Sequence, residues 1–444
     1  MSKKLLIQNG TVLYRSKLIA ADVLIKDGVV ERVAPWVAVD KSMETLDAKG
    51  LTVLPGFVDM HCHLRDPGFT NKEDIASGGK SAAAGGFAAV CCMPNTEPAI
   101  DSAPIVEYVI QKAKRESPVK VYPICAITKG RKGEELAELG LMREAGAVAA
   151  SDDGSPVMNA GLMRTAMEYA STAGLLIISH CEDKNLSGDG AANEGYSASY
   201  AGLKGIPRAA EEVMVAREII LAETLNTRVH IAHVSTKGAV QLIREAKKRG
   251  VLVTAETCPH YFALTDDLVL GYDTDYKVNP PLREEADRLA VIEGLKDGTI
   301  DAIATDHAPH DRESKNVEYS AAAFGMVGFE TAFAAAYTYL VKPGLITLEK
   351  LSALMSANPA SILGLRFGGI EKMSQDTPVP VLPFSAGMID KGAPADLAIV
   401  DLDFVWDVEP QKLLSRSKNT AFKGLKLAGK VAYTIVGGAI IYRK

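Results

Sequence analysis

The stretch Phe57-Val-Asp-Met-His-Cys-His-Leu-Arg65, just after Leu54-Pro55-Gly56, has the residue types and spacing of a metal-binding strand end. Val53 to Met60 is apolar enough for a buried strand, and side chains two apart on a strand share a face. His61 and His63 therefore point the same way, with Asp59 and Arg65 on that face and Cys62 turned from it. Two imidazoles side by side suit zinc or another borderline divalent ion. The plain alternative is a pair of hydrogen-bonded core histidines. A metal site needs further ligands, and these must come from elsewhere in the chain.

The elements that must position those ligands follow from the apolar pattern. Apolar β runs occur at Phe57–His61, Ala88–Met93, Val119–Ile127, Ala147–Ser151, Leu175–His180, Val229–Val234, Leu252–Thr257 and Ile300–Thr305. Amphipathic helical stretches lie between them, at Asn71–Gly85, Ala103–Arg115, Gly133–Ala145, Gly161–Ala173, Ala209–Leu225, Lys237–Lys248 and Glu284–Gly294. Strands alternating with helices in this number predict an α/β fold, a (β/α)8 TIM barrel rather than an open doubly wound sheet. No GxGxxG opens a helix after the first run, which argues against dinucleotide binding.

A barrel of this kind gathers its chemistry at the C-terminal ends of its strands. The sequence places His61 and His63 there on strand 1, Asp152-Asp153 on strand 4, His180 on strand 5, His233 on strand 6 and Asp306-His307 on strand 8. Most of the 8 histidines fall at these ends and none is expected on a helix, whereas core histidines would scatter. Residues 1–54 alternate short apolar runs with turns such as Asn9-Gly10 and Asp27-Gly28, the style of an antiparallel β unit. The C-terminus repeats it, with a hairpin expected around Gly437-Gly438. Pairing of the two ends predicts a small composite β-sandwich domain, residues 1–54 with 385–444, beside a barrel of residues 55–384.

Composition narrows the function classes. A net charge of −6 with no long basic run argues against nucleic acid, which demands clustered Lys and Arg. The N-terminus lacks the apolar core of a signal peptide, and no uncharged run reaches the ~18 residues of a membrane span. A cytoplasmic protein is expected. The 6 cysteines show no CxxC spacing and read as reduced hydrophobic fillers.

Eight motifs carry a resemblance: Asp59-Met-His-Cys-His-Leu-Arg-Asp-Pro-Gly68, Met93-Pro-Asn-Thr96, Ser151-Asp-Asp-Gly154, Ser179-His-Cys-Glu-Asp183, His230-Ile-Ala-His-Val-Ser235, Glu256-Thr-Cys-Pro-His-Tyr261, Asn279-Pro-Pro-Leu-Arg283 and Ala304-Thr-Asp-His-Ala-Pro-His310. They resemble the amidohydrolase superfamily and, more closely, type I dihydroorotase, in register from about residue 4 to the C-terminus. The resemblance implies two divalent metal ions, zinc first among them, held by His61, His63 and Asp306 on one side and by His180 and His233 on the other, with Asp153 bridging. Periodicity does not choose between Asp152 and Asp153; the match favours Asp153. It also implies a substrate pocket of His63, Arg65, Asn95, Asn279, His310 and the main chain of Phe324-Gly325, with the polar run 311–320 as a mobile lid. Asp306 is the expected general base and acid. The implied reaction is the closure of N-carbamoyl-L-aspartate to dihydroorotate in pyrimidine biosynthesis, and some members that have lost ligands serve as partners of aspartate transcarbamoylase; a homodimer is expected only as the commonest assembly. Hydantoinase or allantoinase activity is the enzymatic rival; Val148–Ser151 lacks the lysine that bridges metals in those enzymes. A non-catalytic scaffold is the other rival, opposed by the retention of every ligand position. Ala322-Ala323 departs from the family, which usually has proline before Phe-Gly.

Overall fold

A computed structural model describes residues 3–366, 369–370 and 387–444. The chain is α/β. Every inner β run forms a strand, most of them shorter than expected: Phe57–Cys62, Phe87–Cys92, Lys120–Pro123, Ala149–Ala150, Leu176–Ser179, Val229–Ile231, Val253–Thr257 and Ala302–Ile303. The first three form one parallel sheet and the other five a second. Parallel bridges at Cys125–Ala150 and Cys62–His307 join the two sheets at both edges. The second join is made by Asp306 N donating to His61 O at 3.0 Å and His63 N to His307 O at 2.8 Å. Each strand is thus hydrogen-bonded to the next in cyclic order.

The period of two divides the strand side chains between two cores. Val58, Met60, Ala89, Cys91 and Ile178 pack inward. Phe57, Phe87, Val90, Ile177 and Val229 pack outward against the helices. Cys62 joins the outer set although Met60, two residues before it, packs inward: a register irregularity between Asp59 and Cys62 breaks the alternation, and Cys62 turns from the histidines. Asp59 takes a part not foreseen for it. Its carboxylate accepts from Thr305 N at 3.0 Å and Thr305 Oγ1 at 2.5 Å, tying the first strand to the eighth.

Helices follow the strands at Ile75–Ala84, Ala103–Glu116, Leu139–Ala145, Ala160–Ala173, Arg208–Leu225, Lys237–Lys248 and Glu285–Asp297. The third begins six residues after the expected Gly133 because Gly130 and Gly133 adopt positive φ, 60° and 70°, and break the helix there. Thr128 bridges Leu136 instead. The expectation of histidine-free helices also fails, since His260 lies in the short helix Pro259–Ala263.

Both termini enter one sheet, where Thr52–Pro55 pairs antiparallel with Leu397–Val400. The hairpin at Gly437-Gly438 joins Lys426–Val436 to Ala439–Arg443. The N-terminal unit is not wholly antiparallel. Lys4–Tyr14 pairs in parallel with Glu44–Asp47 and then with Thr52–Val53, on either side of an irregularity between Ile7 and Gly10. That bulge bends the strand enough to serve two partners in succession. The expected boundary at 384/385 lies outside the described residues. Among the described residues no helix is long and apolar enough to cross a membrane.

Candidate metal centre and substrate pocket

The strand ends bring four imidazoles and two carboxylates to one point. Asp153 Oδ1 lies 3.4 Å from His61 Nε2, 3.4 Å from His180 Nδ1 and 3.6 Å from His233 Nε2, and Oδ2 lies 3.6 Å from His63 Nε2. Asp306 Oδ1 lies 3.1 Å from His63 Nε2 and 3.6 Å from His61 Nε2. All six side chains are buried. His233 and Asp306 hold positive φ, 33° and 46°, a costly backbone for such residues and one that accompanies functional sites.

The outward nitrogens of three imidazoles are engaged. His61 Nδ1 meets Glu256 Oε1 at 2.7 Å, His63 Nδ1 meets Asn95 Oδ1 at 2.7 Å, and His180 Nε2 meets Glu182 Oε2 at 2.8 Å. With those nitrogens donating, each ring presents a lone pair to the centre, the state a metal ligand requires. His61 Nε2 and Asp153 Oδ1 make no hydrogen bond although buried. His180 Nδ1 and His233 Nε2 approach to 2.8 Å, two acceptors in need of a proton or a cation. His61, Asp153 and His233 each offer one atom within 4.8 Å of the others, as do His61, His63 and Asp306. The donor set fits divalent cations.

By themselves, the carboxylates draw protons onto rings in the place a cation would take. Burial alone would raise the Asp153 carboxyl, yet His61, His180 and His233 hold it well below the carboxylate range. Burial would likewise lower His180, but Asp153 and Glu182 outweigh it and lift the ring to about 9. Asp306 stays anionic because His63 and His61 overcome its burial.

The neighbours of the ligands are turned elsewhere. Asp152 accepts from Ile127 N at 2.8 Å and from Thr128, and so anchors the strand end that aims Asp153 inward. His230 meets Thr254 Oγ1 at 2.8 Å and lies 3.4 Å from Glu256. His307 stacks on Phe329 with centroids 4.0 Å apart, and its Nδ1 accepts from Gly328 N at 3.1 Å.

Beside the candidate ligands, Arg65 and His310 form a second cluster. Arg65, with φ 59°, donates through Nε to Pro309 O at 3.2 Å, and burial lowers its guanidinium to about 10. Its Nη2 stands 3.3 Å from His310 Nε2, which in turn donates to Phe324 O at 2.8 Å. Burial and the positive charge of Arg65 push His310 down to about 2, so the ring is neutral. Gly325 uses its amide on Lys277 O at 2.9 Å, and its carbonyl accepts from Asn419 Nδ2 at 3.0 Å. Asn279 Nδ2 donates to Glu182 Oε2 at 2.9 Å rather than standing free. The run 311–320 contains the helical turn Arg312–Lys315 and two buried anchors, Lys315 and Tyr319.

A dihydro-orotase-like family model matches residues 50–239. The curated dihydroorotase of Ruminiclostridium cellulolyticum is 53% identical over 443 residues, 99% of this chain and 99% of its own. The chain belongs to the dihydroorotase family. A second member, from Pelotomaculum thermopropionicum, is 52% identical over 99% of this chain and 98% of its own. Among solved structures, L-hydantoinase (dihydropyrimidinase) from Arthrobacter aurescens superposes with a TM-score of 0.86 at 26% identity, covering 100% of this chain and 97% of that one. Dihydropyrimidinase from Brevibacillus agri gives 0.82 at 22% identity, over 100% and 95%, a likeness of fold.

Within this family frame, sequence reasoning had assigned nothing to Glu256 or Glu182, the two carboxylates that orient His61 and His180. Both left a signal. Glu256 is a charged residue inside the buried strand Val253–Thr257, and Glu182 follows His180 by two.

Proposed function

We propose that the chain catalyses the reversible closure of N-carbamoyl-L-aspartate to (S)-dihydroorotate and water. Family membership makes it an enzyme, a cyclic-amide hydrolase. The observation that carries the mechanistic reading is Asp153 within 3.6 Å of four imidazoles, with Asp306 beside two of them. The residues that would hold two divalent ions, zinc first, are His61, His63 and Asp306 on one side and His180 and His233 on the other, with Asp153 between the two sets. When bound, such a pair supplies Lewis acidity and brings the pKa of water down from ~15.7 towards ~7.

The chain's own groups then divide the work. Asp306, anionic at neutral pH, takes the proton of the attacking water and delivers it to the ring nitrogen that leaves, a general base and then a general acid. In closure the same proton moves backwards. Arg65 presents a planar fork to the substrate carboxylate. His310 remains neutral beside it and Asn95 keeps His63 in the right tautomer. Closure consumes one proton, because a dianion becomes a monoanion, so each unit fall in pH shifts the equilibrium about tenfold towards the ring.

The same reading covers the fold. The cyclic order of eight parallel strands supports a (β/α)8 TIM barrel, residues 55–384, and the joined terminal strands support a composite β-sandwich domain, 1–54 with 385–444. A cytoplasmic location fits a biosynthetic enzyme of this kind.

The test is an assay of the zinc-loaded protein with dihydroorotate, N-carbamoyl-L-aspartate and hydantoin, each followed spectroscopically. Turnover of the first two is expected. Turnover of hydantoin alone would transfer the assignment to the hydantoinases, and no turnover with metal bound would leave a scaffold.

A further inference from the structure

Lys315 is 5% exposed, an unusual depth for an ammonium group, and burial of that kind is tolerated only when every donor finds an acceptor. Its Nζ has three acceptors, all main-chain carbonyls: Ala323 O at 2.8 Å, Gly325 O at 3.1 Å and Lys277 O at 3.3 Å. Two of these flank Phe324, and the third lies two residues before Asn279. None belongs to the helical turn that carries the lysine. A second lysine tightens the same place. Lys277 Nζ donates to Ser320 O at 2.8 Å and sits 4.4 Å over the face of the Phe324 ring. The turn itself is fixed by Asp311, which caps Ser314 N at 2.8 Å and accepts from Asn71 Nδ2 at 2.8 Å.

The carbonyl between the two clamped ones is Phe324 O, and it decides the state of His310. Because it accepts from Nε2 at 2.8 Å, the proton of the neutral ring must sit on Nε2. Nδ1 is then an acceptor, facing Lys72 Nζ at 3.4 Å. The 3.3 Å approach of Arg65 Nη2 to Nε2 becomes a contact between two donors rather than a bond. The Nε2 hydrogen is directed at Phe324 O, so the Nη hydrogens of Arg65 beside it are the donors left to meet a carboxylate.

We propose that Lys315 is a positioning residue for substrate binding, one that fixes the main chain around Phe324 and thereby the orientation and tautomer of His310 beside Arg65. This rests on the reading of Arg65 and His310 as the carboxylate pocket. The run 311–320 is on this account a tethered wall of the pocket.

The test compares Lys315→Met, Lys315→Arg and Lys277→Met with the unaltered zinc-loaded protein, using dihydroorotate. Lys315→Met keeps the stem and loses the donors; its KM rises about tenfold, equivalent to about 1.4 kcal/mol, with kcat within about threefold and metal content unchanged. Lys315→Arg, which still donates to several carbonyls, recovers part of the loss. Lys277→Met raises KM less. Nitrogen-15 spectra of the histidine rings, with only 8 to resolve, give a readout independent of turnover: the His310 pattern changes from the Nε2–H tautomer in Lys315→Met. An unchanged KM with an unchanged ring spectrum overturns the proposal, as does a loss of kcat alone. Should Lys315→Met fail to fold, unchanged KM in both other variants overturns it equally. An unaltered protein inactive on dihydroorotate would sink the functional reading instead, and the ring spectra would still decide the role of Lys315.

Discussion

The two halves of the site rest on different foundations. The proposed metal half, His61, His63, Asp153, His180, His233 and Asp306, comes off strand ends: His61 lies within Phe57–Cys62, and the other five follow their strands by one to three residues. The proposed carboxylate half, Arg65, His310, Phe324 and Gly325, comes off loops. It is held by side chains from distant segments, Lys315 and Asn419 among them, the latter binding both His310 N at 3.2 Å and Gly325 O at 3.0 Å. A site element at a strand end takes its position from the sheet, whereas one on a loop must be fixed bond by bond. Damage to the first half should therefore strike turnover and metal retention, and damage to the second should strike substrate affinity.

The strongest test of that division is Asp306→Asn. The amide cannot carry the proton, so kcat should fall by at least ~10²-fold with dihydroorotate, and a near-normal kcat removes its assigned role. Next comes Glu256→Gln, which keeps the shape but weakens the hold on His61. Zinc affinity, measured by competition with a chelating dye, should drop about 10-fold to 100-fold, while KM of the zinc-saturated enzyme stays put. Equal affinity in the variant would make the 2.7 Å contact between Glu256 and His61 irrelevant to the metal.

Arg65→Met probes the other half. Loss of a charge-assisted pair should raise KM about tenfold or more, with bound zinc unchanged. Unaltered KM and kcat would refute the carboxylate clamp. The smallest effect is expected far from both halves, at Asn159, whose Oδ1 caps Leu162 N at 3.1 Å on an outer helix. Asn159→Ala should cost about 1 kcal/mol in urea unfolding and leave kcat and KM untouched. An activity change there would show that the site is coupled to the outer helices.

The legibility of the two halves in the sequence differs for the same reason. His61 and His63 were readable as a pair because they stand two apart at the end of an apolar run, a local property; Cys62 turns outward as expected, but by way of a register irregularity between Asp59 and Cys62 that puts it on the face opposite Met60. Alternation misled at Asp59, where a Thr305 partner 246 positions away captured the carboxylate. It was silent between Asp152 and Asp153, since adjacent residues at a strand end leave the sheet before alternation can sort them. Thr128 makes that choice by binding Asp152. Arg65 and His310 were readable as candidates, through resemblance, but not their hydrogen-bonded chain through Phe324 O.

What the sequence by itself determined is the order of strands and helices and which residues stand at the strand ends, because alternating apolar runs and turn signals are local properties of the chain. What only the tertiary structure decided is which atom meets which. Glu256 on His61, Glu182 on His180 and Lys315 on the Phe324 segment join residues whose proximity depends on closing the ring of strands and folding loops over its end. No local pattern encodes such contacts, because a buried charge takes its partner from whatever the completed fold brings within reach.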